Sequence, residues 1–207
     1  MITIAIADDE QLIASSLSTL LSLEDDLDVK WTFSSGEQLL SWWEKQHTTG
    51  GELPQALVLD LQMGGIDGID TAVRIRQLSP DVPAMIVTSH SRPRLLKRAL
   101  DSGIQGFVAK TASAEDFATA IRAMHAGKRY IDPELAALTI TATDSPLTDR
   151  EAEVIEAAGK GGSIEEIATL VHLAPGTTRN YLSSAMSKLG AQNRFEAFLR
   201  AQDQGWV

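Results

Sequence analysis

Hydrophobic positions follow two rhythms along this chain. Over roughly the first 126 residues, short apolar runs alternate with longer segments of helical spacing. ITIAIA at 2–7, ALVLD at 56–60 and AMIVTS at 84–89 are apolar on both faces, as strands inside a parallel sheet are. DVKWTF at 28–33 alternates, and GFVAK at 106–110 supplies a fifth run. Between these runs, 10–23, 35–46, 68–79, 92–103 and 113–127 carry apolar residues at amphipathic-helix spacing. Ser35 and Ser113 are N-cap candidates, Pro80 stops the third helix, and Gly103 and Gly127 close the fourth and fifth. Five strands alternating with five helices predict an α/β fold, a flavodoxin-like doubly wound parallel sheet.

From residue 128 the alternation stops. Pro133, Ser145 and Pro146 punctuate a stretch rich in Thr and Ala that reads as a linker, with a short helix at 134–137. Four helices then follow without strands, at 148–161, 163–172, 175–190 and 193–205, predicting a small all-α domain. The expected division is 1–126, a linker over 127–145, and 146–207.

Chemistry enters at the strand ends. Ligands in such sheets bind outside the carboxyl ends of the strands. The residues there are Asp8, Asp9, Asp60, Thr88 and Lys110, brought to one edge from four strands. Clustered carboxylates need a cation, and an oxygen-rich, partly hydrated site suits Mg²⁺. Asp60, ending the central strand before an open glycine loop, is the expected nucleophile toward phosphorus. Asp8 and Asp9 would hold the metal. Lys110 would neutralise a phosphoryl oxygen and Thr88 would donate its hydroxyl to another.

Composition narrows the setting. The chain has no cysteine, which removes disulfides, thiol chemistry and Cys-based zinc sites. This suits a reducing cytoplasm. MITIAIADDE has no basic n-region and is not a signal peptide, and no apolar run approaches the roughly 18 residues of a membrane span. Residues 1–145 carry 12 Lys/Arg against 20 Asp/Glu, and 146–207 carry 6 against 8, so neither part looks basic enough to bind nucleic acid by bulk charge. The local distribution reverses that view. From Ile167 to Phe195 there is no acid, while Arg179, Lys188 and Arg194 are present.

Within this window one helix ends near His172 and Pro175-Gly176 opens the next, the grammar of a helix-turn-helix. Thr178, Leu182, Ala185 and Leu189 share one face and should pack inward. Arg179, Asn180 and Ser183 lie opposite, and Arg and Asn are the types that read guanine and adenine edges. Thr177, Lys188 and Arg194 are placed for backbone phosphates. A helical hairpin with a merely solvated polar face is the bland alternative.

IADDE, LVLDLQMGGIDG, MIVTSHS and GFVAK resemble the receiver domain of bacterial two-component response regulators, over residues 1 to about 126. The resemblance implies that Asp60 accepts a phosphoryl group from a sensor histidine kinase, and that the Gln62 backbone joins the Mg²⁺ ligands. It further implies that Thr88 moves toward the phosphoryl group with Phe107 as its aromatic switch partner, and that Gln62 and His90 set the signal lifetime. The sequence departs from the family at Gly64, where proline is usual, which should loosen the loop. Thr111 replaces a frequent Pro or Asp.

PLTDREAEVI through GTTRNYLSSAMSKLGAQNRFEA resembles the LuxR-type helix-turn-helix, over 146 to about 199. Together the two parts resemble the NarL/FixJ class, and the Gly-Trp ending resembles the DesR-type regulators. The class implies a transcription factor, not an enzyme, that binds double-stranded promoter DNA. It implies homodimers on phosphorylation, through the first and fifth helices around 13–21 and 117–124, with pairing of the last helix at 194–201. Ala174, Thr178 and Gln192 stand where Ser, Val and a basic residue are usual. A weak monomer that gains affinity by dimerising is therefore expected. A Mg²⁺-dependent phosphatase with an Asp nucleophile is the rival, but its D-x-D pattern after the first strand is absent. A third alternative is an output domain that binds protein. Trp31, Trp42, Trp43 and Trp206 are read as core or interface anchors.

Overall fold

The computed structural model describes residues 1–89, 93–141, 145–204 and 206–207. Two compact units divide the chain, one comprising Met1–Ser91 and Leu95–Ala136, the other Arg92–Arg94 and Ala137–Val207.

In the first unit, β1 (Ile2–Ala7), β2 (Leu27–Phe33), β3 (Ala56–Asp60), β4 (Ala84–Thr88) and β5 (Gly106–Ala109) alternate with α1 (Gln11–Leu21), α2 (Gly36–Thr49), α3 (Gly68–Leu78), α4 (Pro93–Asp101) and α5 (Ala114–His125). All pairings are parallel, in the order β2-β1-β3-β4-β5 with a further strand β6 (Tyr130–Ile131) beside β5. The doubly wound architecture is therefore as expected. The strand order reverses between β1 and β3, where such sheets bind ligands.

Strand residues point alternately to the two faces, and two cores result. Ala5, Ala7, Leu57, Leu59, Ile86 and Phe107 pack with Leu39, Trp43, Ile69, Ile75 and Leu96 from α2, α3 and α4. Ile4, Ile6, Val58, Met85, Val87 and Val108 pack with Leu17, Leu21, Phe117, Ile121 and Met124 from α1 and α5. Burial on both faces explains why these strands read as unbroken apolar runs.

The sheet has one strand more than the five expected. The β6 residues Tyr130 and Ile131 pair with Gly106 and Phe107, and α6 (Pro133–Thr141) follows, longer than the short helix expected at 134–137. Two strand residues between charged neighbours carry no periodicity, so this element left no trace in the hydrophobic pattern. Leu135, buried in the α2–α4 core, anchors the helix start to the sheet. Helix α2 also runs further than expected, to a left-handed cap at Gly50 (φ 67°).

The second unit packs α7 (Asp149–Gly159), α8 (Ile164–Leu170), α9 (Pro175–Leu189) and α10 (Arg194–Asp203) around Val154, Ile155, Ile167, Leu182, Ala185 and Ala197. Reciprocal capping boxes open α7 (Thr148 with Glu151) and α8 (Ser163 with Glu166). Thr178, Leu182, Ala185 and Leu189 are the buried residues of α9, as their spacing predicts. Trp43 is fully buried, and its indole donates to the Ser79 hydroxyl at 3.1 Å. Trp31, Trp42 and Phe33 form a half-buried aromatic group with neighbouring ring centroids 5.2–5.3 Å apart. Trp206 packs on the helical core. Among the described residues, no helix is long and apolar enough to cross a membrane.

Candidate functional site

The register that sets Ala7 beside Leu59 delivers the residues following β1 to the edge where β3 ends. Ligand oxygens of Asp8, Asp9 and Asp60 accordingly lie within 4.8 Å of one another. Asp8 and Asp60 are buried, 4% and 5% exposed, and Asp9 faces solvent. Lys110, just past β5, enters the same cluster. Its ammonium lies 3.0 Å from Asp8 Oδ2 and 3.2 Å from Asp60 Oδ2. Thr88, the buried last residue of β4, accepts the Lys110 backbone N–H at its carbonyl (2.7 Å), fixing the two strand ends side by side. Phe107 is buried in the α2–α4 core, beside Ile86 of β4. Gln62 is exposed on the loop after β3. His90 lies outside the described residues.

The electrostatics fit a cation. Burial is the largest influence on Asp60 and pushes its carboxyl up to about 7; the Lys110 charge opposes this, while Asp8 and Asp9 add to the rise. Burial also raises Asp8, against a hydrogen bond from the Glu10 amide (2.8 Å) and the Lys110 ammonium. Burial alone would lower Lys110, but its bond to Glu10 and the charges of Asp60 and Asp8 hold it above its ordinary value. One ammonium thus faces more carboxylate than it can neutralise. All the excess donors are oxygen, the set a hard divalent ion such as Mg²⁺ prefers.

Three features here escaped the sequence reading. Glu10 adds a further carboxylate, accepting from Lys110 Nζ at 2.8 Å; the acid run DDE was its signal. The loop after β3 is fastened at two amides. Gly64 N–H donates to Asp9 Oδ2 (3.2 Å) and Ile66 N–H donates to Glu37 Oε1 (2.8 Å). Backbone donors leave no mark in a sequence, so neither tie was legible. The expected loosening by Gly64 must be weighed against both.

In the second unit, α8 and α9 are joined by a turn in which His172 adopts φ 52°. Thr177, Arg179, Asn180 and Ser183 are exposed on α9. Among the described residues, the Arg179 side chain has no ion-pair or hydrogen-bond partner. Thr178, buried, satisfies its hydroxyl on the Ala174 carbonyl at 3.2 Å. Ala174 gives no side-chain cap, and Pro175 occupies the first helical turn instead.

Lys188 and Arg194 differ from the other four. Arg194 donates to the Gly162 carbonyl at 2.7 Å. Lys188 pairs at 2.7 Å with Glu151, which also accepts from Ser184 Oγ and the Thr148 amide, both at 2.6 Å. Burial pushes the Glu151 carboxyl up, but the bonds from Lys188, Ser184 and Thr148 outweigh it and hold the group at about 2. A folded value below the ordinary 4.5 stabilises the fold above that pH, and the contribution is lost as pH falls from 4.5 toward 2. Glu151→Ala strands Lys188 and unties α7 from α9. It is expected to cost the second unit about 1–3 kcal/mol, the hydrogen bonds and the helix-cap contact that Glu151 supplies, read as a lower thermal midpoint for that unit with less acid sensitivity between pH 5 and about 2. An unchanged midpoint would mean that the network contributes nothing.

Comparison with known proteins agrees with both halves. Residues 4–122 match the response regulator receiver domain, and residues 145–201 match the bacterial regulatory proteins of the luxR family. The chain is 34% identical over 206 residues to the transcriptional regulatory protein DesR of Bacillus subtilis, covering 100% of this chain and 99% of that protein. It is 32% identical over 206 residues to the transcriptional regulatory protein UhpA of Escherichia coli, covering both in full. Among solved structures, RcsB from Salmonella enterica serovar Typhimurium, bound to promoter rprA in the presence of phosphomimetic BeF3−, superposes with a TM-score of 0.66 at 25% identity, over 98% of this chain and 99% of that one. With its receiver fold and its luxR-type DNA-binding domain in one chain, this protein belongs to the NarL/FixJ-class response regulators, a family of transcription factors and not of enzymes.

Proposed function

We propose that Asp60 is the phosphoryl acceptor, and that its modification controls promoter binding by the second unit. The observation that carries this reading is the convergence of Asp8, Asp9 and Asp60 within 4.8 Å with the Lys110 ammonium among them. In the transfer, an Asp60 carboxylate oxygen attacks phosphorus of a phosphohistidine on a sensor histidine kinase. The P–N bond breaks as the P–O bond forms, and the departing ring nitrogen takes up a proton from solvent, leaving an acyl phosphate on the regulator and a neutral imidazole on the kinase. Asp8 and Asp9, with Asp60 and the Gln62 carbonyl, would hold Mg²⁺, which supplies positive charge to the phosphoryl oxygens when bound. Lys110 shifts its ion pair onto a phosphoryl oxygen, and the Thr88 hydroxyl donates to another. Withdrawal of Thr88 toward the phosphoryl group opens space beside it that Phe107, packed next to β4, follows.

The phosphorylated receiver, residues 1–126, then dimerises through α1 and α5 and pairs two DNA-binding units, residues 146–207, on a two-fold related site in the cytoplasm. Arg179, Asn180 and Ser183 meet the groove, with Thr177, Lys188 and Arg194 toward phosphates. DNA-bound RcsB is consistent with this reading. Its test is a gel shift on promoter fragments with and without acetyl phosphate. The donor should raise affinity, and the log of the binding constant should fall with log salt by ~0.9 per phosphate contacted. Binding that ignores both donor and salt would refute it.

A further inference from the structure

Of the three candidate metal ligands, Asp9 is held least. Asp8 is buried, accepts the Glu10 amide and pairs with Lys110, and Asp60 is buried and pairs with Lys110 as well. Asp9 is exposed, and among the described residues its hydrogen-bond partner is the Gly64 amide, 55 residues away in the chain. A free Asp side chain samples several rotamers, so a ligand held by one donor depends on that donor for its position.

The two loop glycines have different reasons to be there. Gly65 sits at φ 99°, and a Cβ there would meet Glu37 Oε1 at 2.2 Å, so both backbone and space demand glycine. Gly64 has no such need: its φ lies outside the left-handed region, and a Cβ would find nothing within 4 Å. What the chain uses at 64 is the N–H. Proline, usual at this position in the receiver family, has none.

We propose that the Gly64 backbone N–H is a positioning group for Asp9, presetting this carboxylate beside Asp8 and Asp60 for the divalent ion. The second fastening, Ile66 N–H to Glu37, keeps the loop where Gly64 can reach. The loop that replaces the family's proline is thus tied down by hydrogen bonds where a pyrrolidine ring would restrict it by torsion. This inference rests on the Mg²⁺ site assigned above.

Two readouts test it on the full-length chain. Calorimetric titration with Mg²⁺ alone compares wild type, G64A and G64P. G64A keeps the N–H and should bind within about twofold of wild type. G64P should bind about three- to tenfold more weakly, the net contribution of one ordinary hydrogen bond at an exposed side chain, at an unchanged thermal midpoint. Equal affinity for all three overturns the positioning role and leaves the metal site standing; no binding by wild type overturns both. The second readout needs no metal. In amide NMR spectra, Asp9→Ala should move the Gly64 N–H upfield while the Ile66 N–H, bonded to Glu37, stays in place. A Gly64 resonance indifferent to that substitution overturns the proposal.

Discussion

Asp60→Asn is expected to reduce phosphoryl uptake from acetyl phosphate to background while the protein keeps its fold. The amide matches the carboxylate in shape but offers no anionic oxygen to attack phosphorus. Stability should not suffer, because burial among Asp8 and Asp9 already disfavours the charged form of Asp60. Lys110 keeps Asp8 and Glu10 as partners in the variant, so its ammonium is not stranded. Phosphate incorporation and circular dichroism, measured side by side, separate loss of the acceptor from loss of structure. Uptake equal to that of the wild type would move the acceptor elsewhere.

Arg179→Ala should lose about 10- to 100-fold in affinity for a specific promoter fragment, the discrimination of one good base contact. Phosphorylation and thermal midpoint should stay as in the wild type. Arg179 is exposed, and among the described residues its guanidinium touches no partner that the fold would miss. Its neighbours decide the contrast. Lys188→Ala should weaken binding too, but with a loss of stability, because it leaves Glu151 buried without its cation. Operator affinity unchanged in Arg179→Ala would remove α9 from the reading face.

The parts of the fold that were legible share one physical origin. Strands buried on both faces carry few polar residues, so β1, β3 and β4 appear as apolar runs, and the polar residue at or just past the end of each marks the sheet edge. That is why Asp8, Asp60 and Thr88 could be placed at one rim from spacing alone. The inward face of α9 was legible for the same reason, at helical period. What stayed hidden depends on single hydrogen bonds or on very short elements. Strand β6 has two residues and no period. The ties from Gly64 to Asp9 and from Ile66 to Glu37 use backbone donors, which every residue but proline has. The Glu151 partner of Lys188 was hidden as well: it stands 37 positions earlier and meets the ammonium only after α7 and α9 pack. The hydroxyl of Thr178 looked misplaced on a buried face until the Ala174 carbonyl received it.

The most direct test of the central claim is chemical trapping of the acyl phosphate. The wild-type protein is incubated with acetyl phosphate and Mg²⁺, reduced with borohydride and mapped by peptide mass spectrometry. The predicted result is conversion of Asp60, and of no other acid, to homoserine, lost when Mg²⁺ is chelated. Conversion at Asp8, Asp9 or a residue outside this pocket, or full conversion of Asp60 without a divalent ion, would contradict it.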